Sequence, residues 1–317
     1  MRSTRWGKNR GAFVVKEPVV SIVIPTRNRP ALVVRAVRTA LAQTLAEIEV
    51  VVVIDGRNDA TGAAISAIND SRVSVVSLPC PVGGSEARNI GIGKSRGEFI
   101  ALLDDDDEWS RDKLVRQLEL ARKSTARYPV VTCRLIARHP SVDEIWPVRR
   151  IKPGESMSDY LLCREASIRQ GEGFIQSSTL FVPRDLMIQV PFASGLPRHQ
   201  DWDWLIRTSV HPGVEFLWVW DVLVTYNVDI TRRSVSSNHS IGASIDWIED
   251  NHFVSRKARA YFYATQIAAR CKTPSMFWSV IRNTIRHPRA FIIAMGLALT
   301  PRSFTRFLRG RRILTHA

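Results

Sequence analysis

The sequence predicts an α/β fold: a mostly parallel central sheet flanked by helices, with a basic helical extension at the C-terminal end. Three observations carry this. Short β-branched runs alternate with helix-length segments from Val19 to Asp104, four consecutive carboxylates close the last of those runs, and no acid occurs from Asn251 to Ala317.

The opening stretch MRSTRWGKNRGAFVVKEP is basic and lacks the apolar run of a secretory signal, so residues 1–17 read as a loose tail. VVSIVIP (Val19 to Pro25), IEVVVVID (Ile48 to Asp55), RVSVVSL (Arg72 to Leu78) and GEFIALLD (Gly97 to Asp104) are short apolar runs that end at turn-forming or acidic residues. They read as buried strands. Between them Pro30 to Gln43, Ala60 to Asn69 and Gly83 to Ser95 have the length and mixed polarity of helices. This alternation calls for a parallel sheet with right-handed crossovers, and ligands bind at the carboxyl ends of such strands.

Further along, SRDKLVRQLELARKS predicts a helix from Arg111 to Lys123. YPVVTCRLIAR and GFIQSSTLFVP are strand candidates that frame an irregular stretch rich in Arg and Pro. HQDWDWLIRTSV reads as a helix that opens at an acidic residue, and VEFLWVWDVLVTYNV as one long strand or a strand pair. Beyond about Asn238 the pattern is helical and basic. The expected division is a tail over 1–17, a main domain over 18–238 and a basic helical extension over 239–317.

With 317 residues, 45% of them hydrophobic, the chain can bury a full core, which excludes a disordered chain. Cys80, Cys133, Cys163 and Cys271 stand far apart with no C-x-x-C pair. Neither a zinc site nor a disulfide framework follows, and a reduced, cytosolic setting fits. The net charge of +15 is unevenly distributed: Asn251 to Ala317 holds 13 Lys or Arg and no acid, while Met1 to Asp250 holds 32 basic against 30 acidic residues. The longest apolar stretch, AFIIAMGLALT from Ala290 to Thr300, falls short of the ~20 residues of a spanning helix.

GIGKSRG, from Gly91, contains G-K-S, but Arg88 stands where a phosphate loop has its first glycine and the helix precedes the strand. Arg96 occupies the last glycine position of a G-x-G-x-x-G. Neither nucleotide motif is supported.

FIALLDDDDEWS places Asp104, Asp105, Asp106 and Asp107 at a strand end, with Trp109 behind them. One reading is a solvated acidic turn in which Asp107 or Ser110 caps the next helix. The other is a cation site. Adjacent carboxylates repel one another, and Mg²⁺ or Mn²⁺ is usually held by one or two carboxylates plus substrate phosphates.

Taken together, SIVIPTRNRP, VVVIDGRNDAT, GGSEARNIGIGKSRGEFIALLDDDDEW and HQDWDWLIR, in this order, resemble the inverting nucleotide-sugar glycosyltransferases of family two. The resemblance runs from about Val19 to Val228 and implies the GT-A fold, a Rossmann-like sheet. It implies that Pro25, Thr26 and Arg27 line the nucleotide pocket and that Asp55 accepts from the base. Asp55 as a turn aspartate before Gly56 is the alternative, and Ile54 stands where many relatives carry a first acid. Arg88 falls where the family carries an arginine near the nucleotide; the alternative is a surface salt bridge. By the same resemblance Asp104 approaches the ribose, Asp105 tunes the field at the donor, and Asp106 ligates the metal, Mg²⁺ or Mn²⁺. Trp109 reads as a packing residue.

Displacement at an anomeric carbon needs a base for the attacking hydroxyl, and Asp201 aligns with the aspartate the family uses for this. Gln200 stands where relatives commonly carry Glu. A helix N-cap is the alternative for Asp201, and Asp203 could equally provide it. Trp202 and Trp204 cannot share a helix face, so one belongs to the core and the other is available to an acceptor. His199 reads as a loop residue rather than a ligand.

The implied reaction is metal-assisted single displacement from a nucleotide-diphosphate sugar donor to a hydroxyl of a glycan or lipid-linked acceptor. Two other readings stay open: a metal-dependent nucleotidyltransferase and a non-catalytic nucleotide-sugar-binding protein. The C-terminal stretch mixes aromatic, aliphatic and arginine residues, as in helices lying on an anionic membrane surface; a helical subdomain with an arginine-rich outer face is the alternative. Nucleic acid is disfavoured as a partner, since the rest of the chain is nearly charge-balanced. The expected location is cytoplasmic, peripheral at the inner face of the cell membrane.

Overall fold

The structure is a computed structural model that describes residues 17–139, 142–164, 171–228, 241–271 and 273–299. The expected loose tail therefore lies almost wholly outside the described residues, as does the extension beyond residue 299.

Strands β1 (Val20–Thr26), β2 (Ile48–Ile54), β3 (Val73–Ser77) and β4 (Phe99–Leu102) alternate with helices α1 (Pro30–Leu41), α2 (Asp59–Ser66) and α3 (Gly84–Lys94). The four strands pair in parallel in the order β3-β2-β1-β4, and β1 lies in register with β2 from Val20 opposite Ile48 to Thr26 opposite Ile54. Side chains alternate across this sheet. Val20, Ile22 and Ile24 join the cluster that includes Val33, Val37 and Phe181, whereas Val23, Ile100 and Leu102 join a cluster on the other face. Gly91 lets α3 lie close on β1, since a Cβ there would sit 2.4 Å from Val23 Cγ1.

The second half of the sheet is mixed. Strand β5 (Glu108–Trp109) and helix α4 (Lys113–Lys123) lead to β6 (Tyr128–Arg138) and β7 (Asp143–Trp146). Helix α5 (Met157–Leu162), strand β8 (Phe181–Pro183), helices α6 (Arg184–Gln189) and α7 (Gln200–Ser209), and the single long strand β9 (Val214–Asn227) follow. The order continues β4-β8-β6-β9-β5, with β7 on β6; β8 is antiparallel to both β4 and β6, while β6 and β9 are parallel. The predicted strand GFIQSSTLFVP is corrected: only Phe181–Pro183 is extended, and Ser177–Thr179 is a 3₁₀ turn. Gln176 Oε1 accepts from Ser178 N at 3.0 Å and Thr179 Oγ1 donates to Gln176 O at 2.7 Å, local bonds that compete with ladder pairing.

Helices α8 (Ile241–Asp250), α9 (Arg256–Phe262), α10 (Pro274–Thr284) and α11 (Pro288–Leu299) complete the described chain, with a π-helical turn at Tyr263–Ile267 after α9. They do not form a separate core. Trp247, Phe262, Tyr263, Val280 and Ala294 belong to one buried cluster with Val182, Trp204 and Leu205 of the sheet side. Among the described residues no helix is long and apolar enough to cross a membrane.

Candidate active site

At the end of β4 the chain leaves the sheet and turns on itself, Asp107 N donating to Asp104 O at 3.1 Å. The turn presents four carboxylates to different partners. Asp105 accepts from Thr26 Oγ1 at 2.6 Å and from Arg29 Nη1 at 2.9 Å. Arg29 also reaches Asp106 Oδ2 at 3.1 Å. Asp104 accepts from Arg88 Nη2 at 2.6 Å and from Gln176 Nε2 at 2.9 Å. Asp107 is fully buried and accepts from Ser178 Oγ at 2.6 Å, Gln176 Nε2 at 2.8 Å and Asn227 N at 3.3 Å.

The facing wall is built by the 3₁₀ turn and α7. Asp201, in the first turn of α7, accepts from Ser177 Oγ at 2.6 Å on one oxygen and from Ser177 N at 3.2 Å on the other. Its neighbour Gln200 accepts from Arg88 Nη1 at 2.9 Å, so a single buried guanidinium bridges α7 and the acidic turn. The turn itself is anchored from behind: Trp109 Nε1 donates to Ser178 O at 2.9 Å, and Gln117 Nε2 to Thr179 O at 2.8 Å.

Burial is the largest cause pushing the Asp201 carboxyl above its ordinary value; the Arg88 guanidinium and the Ser177 bonds pull it back, while the Asp104 charge adds to the rise. Burial likewise raises Asp105, against Thr26 and Arg29. Burial, then the charges of Asp104 and Asp105, push Asp106 up to about 6, and Asp107 is raised well above the usual carboxylate range. Like charges are thus held together in a low-dielectric turn, the situation a hard cation relieves. Asp104 and Asp106 keep 24% and 33% of their side-chain surface exposed, so both can present oxygens to an incoming ion. Among the described residues no three His, Cys, Asp or Glu side chains are grouped to hold a metal alone. The donor set suits an ion that completes its shell with phosphate oxygens and water.

Of the residues singled out in the sequence, Thr26, Arg88, Asp104, Asp105, Asp106 and Asp201 fall in this one polar network. Pro25 lies beside it at the end of β1, and Arg27 is exposed with its side chain outside the network. Asp55 is buried and accepts from Val82 N at 2.6 Å and Gly83 N at 3.2 Å, which fixes the entry to α3 and hence Arg88.

Several local expectations are corrected. Neither Asp107 nor Ser110 caps α4, whose N-cap position is Asp112 with no side-chain cap bond; Asp107 points inward and Ser110 Oγ donates to Asp112. Neither Asp201 nor Asp203 caps α7. The cap position is His199 in left-handed conformation, and Asp203 accepts instead from Arg207 at 2.7 Å and Trp247 at 3.2 Å. Trp204 is core, stacked on Phe192 with centroids 5.5 Å apart. Trp202 is half-buried and stacks on His199, 5.0 Å away, in an aromatic cluster completed by Trp247 and Phe262. Trp109 is buried, and Lys113 Nζ lies 3.8 Å from its ring centroid.

Arg29, Gln176, Ser177, Ser178 and Asn227 were missed as members of the site. Arg29 stands two residues beyond the motif residue Arg27, and only the fold shows which arginine turns toward the acids. The others come from a segment read as strand and from the end of β9; no spacing in the sequence marks them.

Comparison with known proteins gives a consistent picture. The profile of the family described as "Glycosyl transferase family 2" matches residues 21–183. The amylovoran biosynthesis glycosyltransferase AmsB of Erwinia amylovora is 27% identical over 244 residues, 74% of this chain and 78% of its own length. The Escherichia coli protein WfgD, a UDP-Glc:alpha-D-GlcNAc-diphosphoundecaprenol beta-1,3-glucosyltransferase, is 31% identical over 110 residues, 35% of this chain and 44% of its own length. Among solved structures, S. aureus TarS 1–349 in complex with UDP-GlcNAc superposes with a TM-score of 0.62 at 14% identity, covering 92% of this chain and 87% of that one. That likeness establishes the shared fold.

Proposed function

The chain belongs to glycosyl transferase family 2, and from that premise we propose that it transfers a sugar from a nucleotide-diphosphate donor to a hydroxyl of a glycan or lipid-linked acceptor, with inversion at the anomeric carbon. One observation carries the reading. A half-buried carboxylate held by Ser177 and a set of donor-side carboxylates meet in a single network at the carboxyl ends of β1 and β4, joined through Arg88.

The chemistry follows from these groups. Asp201 Oδ2, the oxygen under the longer bond from Ser177 N, takes the proton of the acceptor hydroxyl. The acceptor oxygen forms its bond to the anomeric carbon as the bond to the diphosphate oxygen breaks, and the electron pair leaves with the nucleotide. Burial raises the Asp201 pKa, and a carboxylate with a higher pKa is the stronger base. Arg88 and Arg29 offer positive charge toward the negative charge that develops on the leaving group. Asp104 and Asp106 are the residues that would hold Mg²⁺ or Mn²⁺, which when bound supplies charge neutralisation at the diphosphate. No covalent enzyme intermediate is required.

The acceptor class draws support from the relatives: AmsB is named for amylovoran biosynthesis and WfgD for an alpha-D-GlcNAc-diphosphoundecaprenol acceptor. A cytoplasmic site at the inner face of the membrane agrees with both. A thermal-shift panel of nucleoside diphosphates and their sugars, with and without Mn²⁺, tests the donor site. Asp201→Asn is expected to keep that stabilisation and lose about 10²- to 10⁴-fold in transfer. Full turnover in Asp201→Asn would remove the base, and an absence of stabilisation by every nucleotide would remove the donor site.

A further inference from the structure

Helices α10 and α11 are covered on one side and bare on the other. Val280, Thr284, Ala290 and Ala294 are fully buried, the apolar three within the cluster that holds Tyr263 and Ile267. The outer side carries Trp278, Ile285 and Ile292, which are 66%, 58% and 69% exposed. Arg282, Arg286 and Arg289 are exposed among them. Trp278, Arg282 and Ile285 are spaced i, i+4, i+7, and Arg289 and Ile292 are spaced i, i+3, so each helix gathers apolar and cationic side chains on one stripe.

Among the described residues the charge on this face has no ion-pair partner. No acid occurs from Asn251 to Ala317, and Arg282, Arg286 and Arg289 form no ion pair among the described residues. Glu249 accepts from Tyr263 OH, in the turn after α9, and is paired with Arg259 at 3.1 Å. We infer that α10 and α11 form a docking face for an anionic bilayer surface, with Trp278, Ile285 and Ile292 entering the headgroup boundary and the three arginines meeting lipid phosphates.

Charge complementarity selects this occupant. A second copy of the chain packed on the same face would set arginine against arginine with no carboxylate to pair. The apolar run Ala290 to Thr300 is short of the ~20 residues a spanning helix needs, which favours a surface position over a crossing one. Tryptophan and arginine at the polar–apolar boundary are what such a surface accepts.

Co-sedimentation of the full chain with phosphatidylcholine vesicles, and with vesicles containing phosphatidylglycerol, tests the assignment. The chain is expected to pellet with the anionic vesicles and to be released by salt. Each arginine near an anionic surface contributes a factor of about five, so Arg282→Gln/Arg286→Gln/Arg289→Gln should lower partitioning roughly 100-fold. Trp278→Ser/Ile285→Ser/Ile292→Ser should lower it on both vesicle types. All six positions are exposed, and an unchanged thermal melt establishes that the variants fold. Equal pelleting of wild type and both variants overturns the inference. So does a concentration-dependent dimer in sedimentation equilibrium that the apolar variant abolishes, which would assign the face to self-association.

Discussion

His199 offers a test of how the C-terminal helices are joined to the catalytic half. Its ring lies between Trp202 and Trp247, at 5.0 and 4.8 Å, with Phe262 edge-on at 5.3 Å, and its Nε2 bonds Ser244 Oγ at 2.9 Å. Burial, reinforced by the Arg198 and Arg270 cations, pushes its pKa down to about 3. The folded state therefore holds a neutral ring where the unfolded chain would be protonated below about 6.5. Stability contributed by this group is complete above that pH and is lost as pH falls toward the folded value. The loss amounts to about 1.4 kcal/mol at pH 5.5 and about 2.7 kcal/mol at pH 4.5. Asp106, raised to about 6, acts in the opposite direction, since its folded form binds a proton that the unfolded form releases. The measurement must therefore be a difference. His199→Asn keeps a residue tolerant of left-handed backbone and removes the titration. Urea unfolding at pH 8, 5.5 and 4.5 should show the wild-type advantage shrinking by about 2.7 kcal/mol across the range. A difference constant to within about half a kcal/mol would refute a buried neutral imidazole.

Three further outcomes follow from the site. Ser177→Ala removes a charge-assisted donor to Asp201, worth roughly 1.5–3 kcal/mol, so the acid limb of the kcat/KM profile should move up by about one to two pH units; an unmoved limb would separate Ser177 from the proposed base. Arg88→Lys cannot bridge Asp104 and Gln200 together, and a loss of about 10- to 100-fold in kcat/KM is expected; wild-type kinetics would count against the bridge. Gly91→Ala forces a methyl to 2.4 Å from Val23 Cγ1 and 3.1 Å from Val53 Cγ2, which should cost about 1–3 kcal/mol in urea unfolding; a neutral or stabilised variant would mean that α3 rides loosely on β1.

The parallel half of the fold was legible because β1, β2 and β4 are buried on both faces and mostly apolar, ending at acids or turns; β3, read as a buried strand, is corrected to an edge strand with no buried residue, Val75 being 40% exposed. Asp104 to Asp107 stood out because four adjacent carboxylates at the end of such a strand repel one another. What the sequence hid is what depends on pairing across long separations. Gln200 meets Arg88 across 112 positions and Asn227 meets Asp107 across 120. β5 has two residues and β7 four, too short for a period-2 pattern to register. The Gln176–Thr179 turn looked like part of a strand because its residues suit strands, and local side-chain bonds decided otherwise. His199 reads as an ordinary loop residue until α8 and α9 close over it.

Because Thr26 and Arg29, the acidic turn, Gln176 to Ser178, Asp201 and Asn227 are joined in one hydrogen-bonded network, the candidate site is a single cassette for recombination. The segment matched by the family profile stops at residue 183, short of both Asp201 and Asn227. Transplanted alone it would carry the donor-side acids without their clasp. Chimeras between paralogous enzymes should therefore exchange residues 21–227 whole, and new acceptor preferences are better sought by substitution inside that unit than by crossover within it.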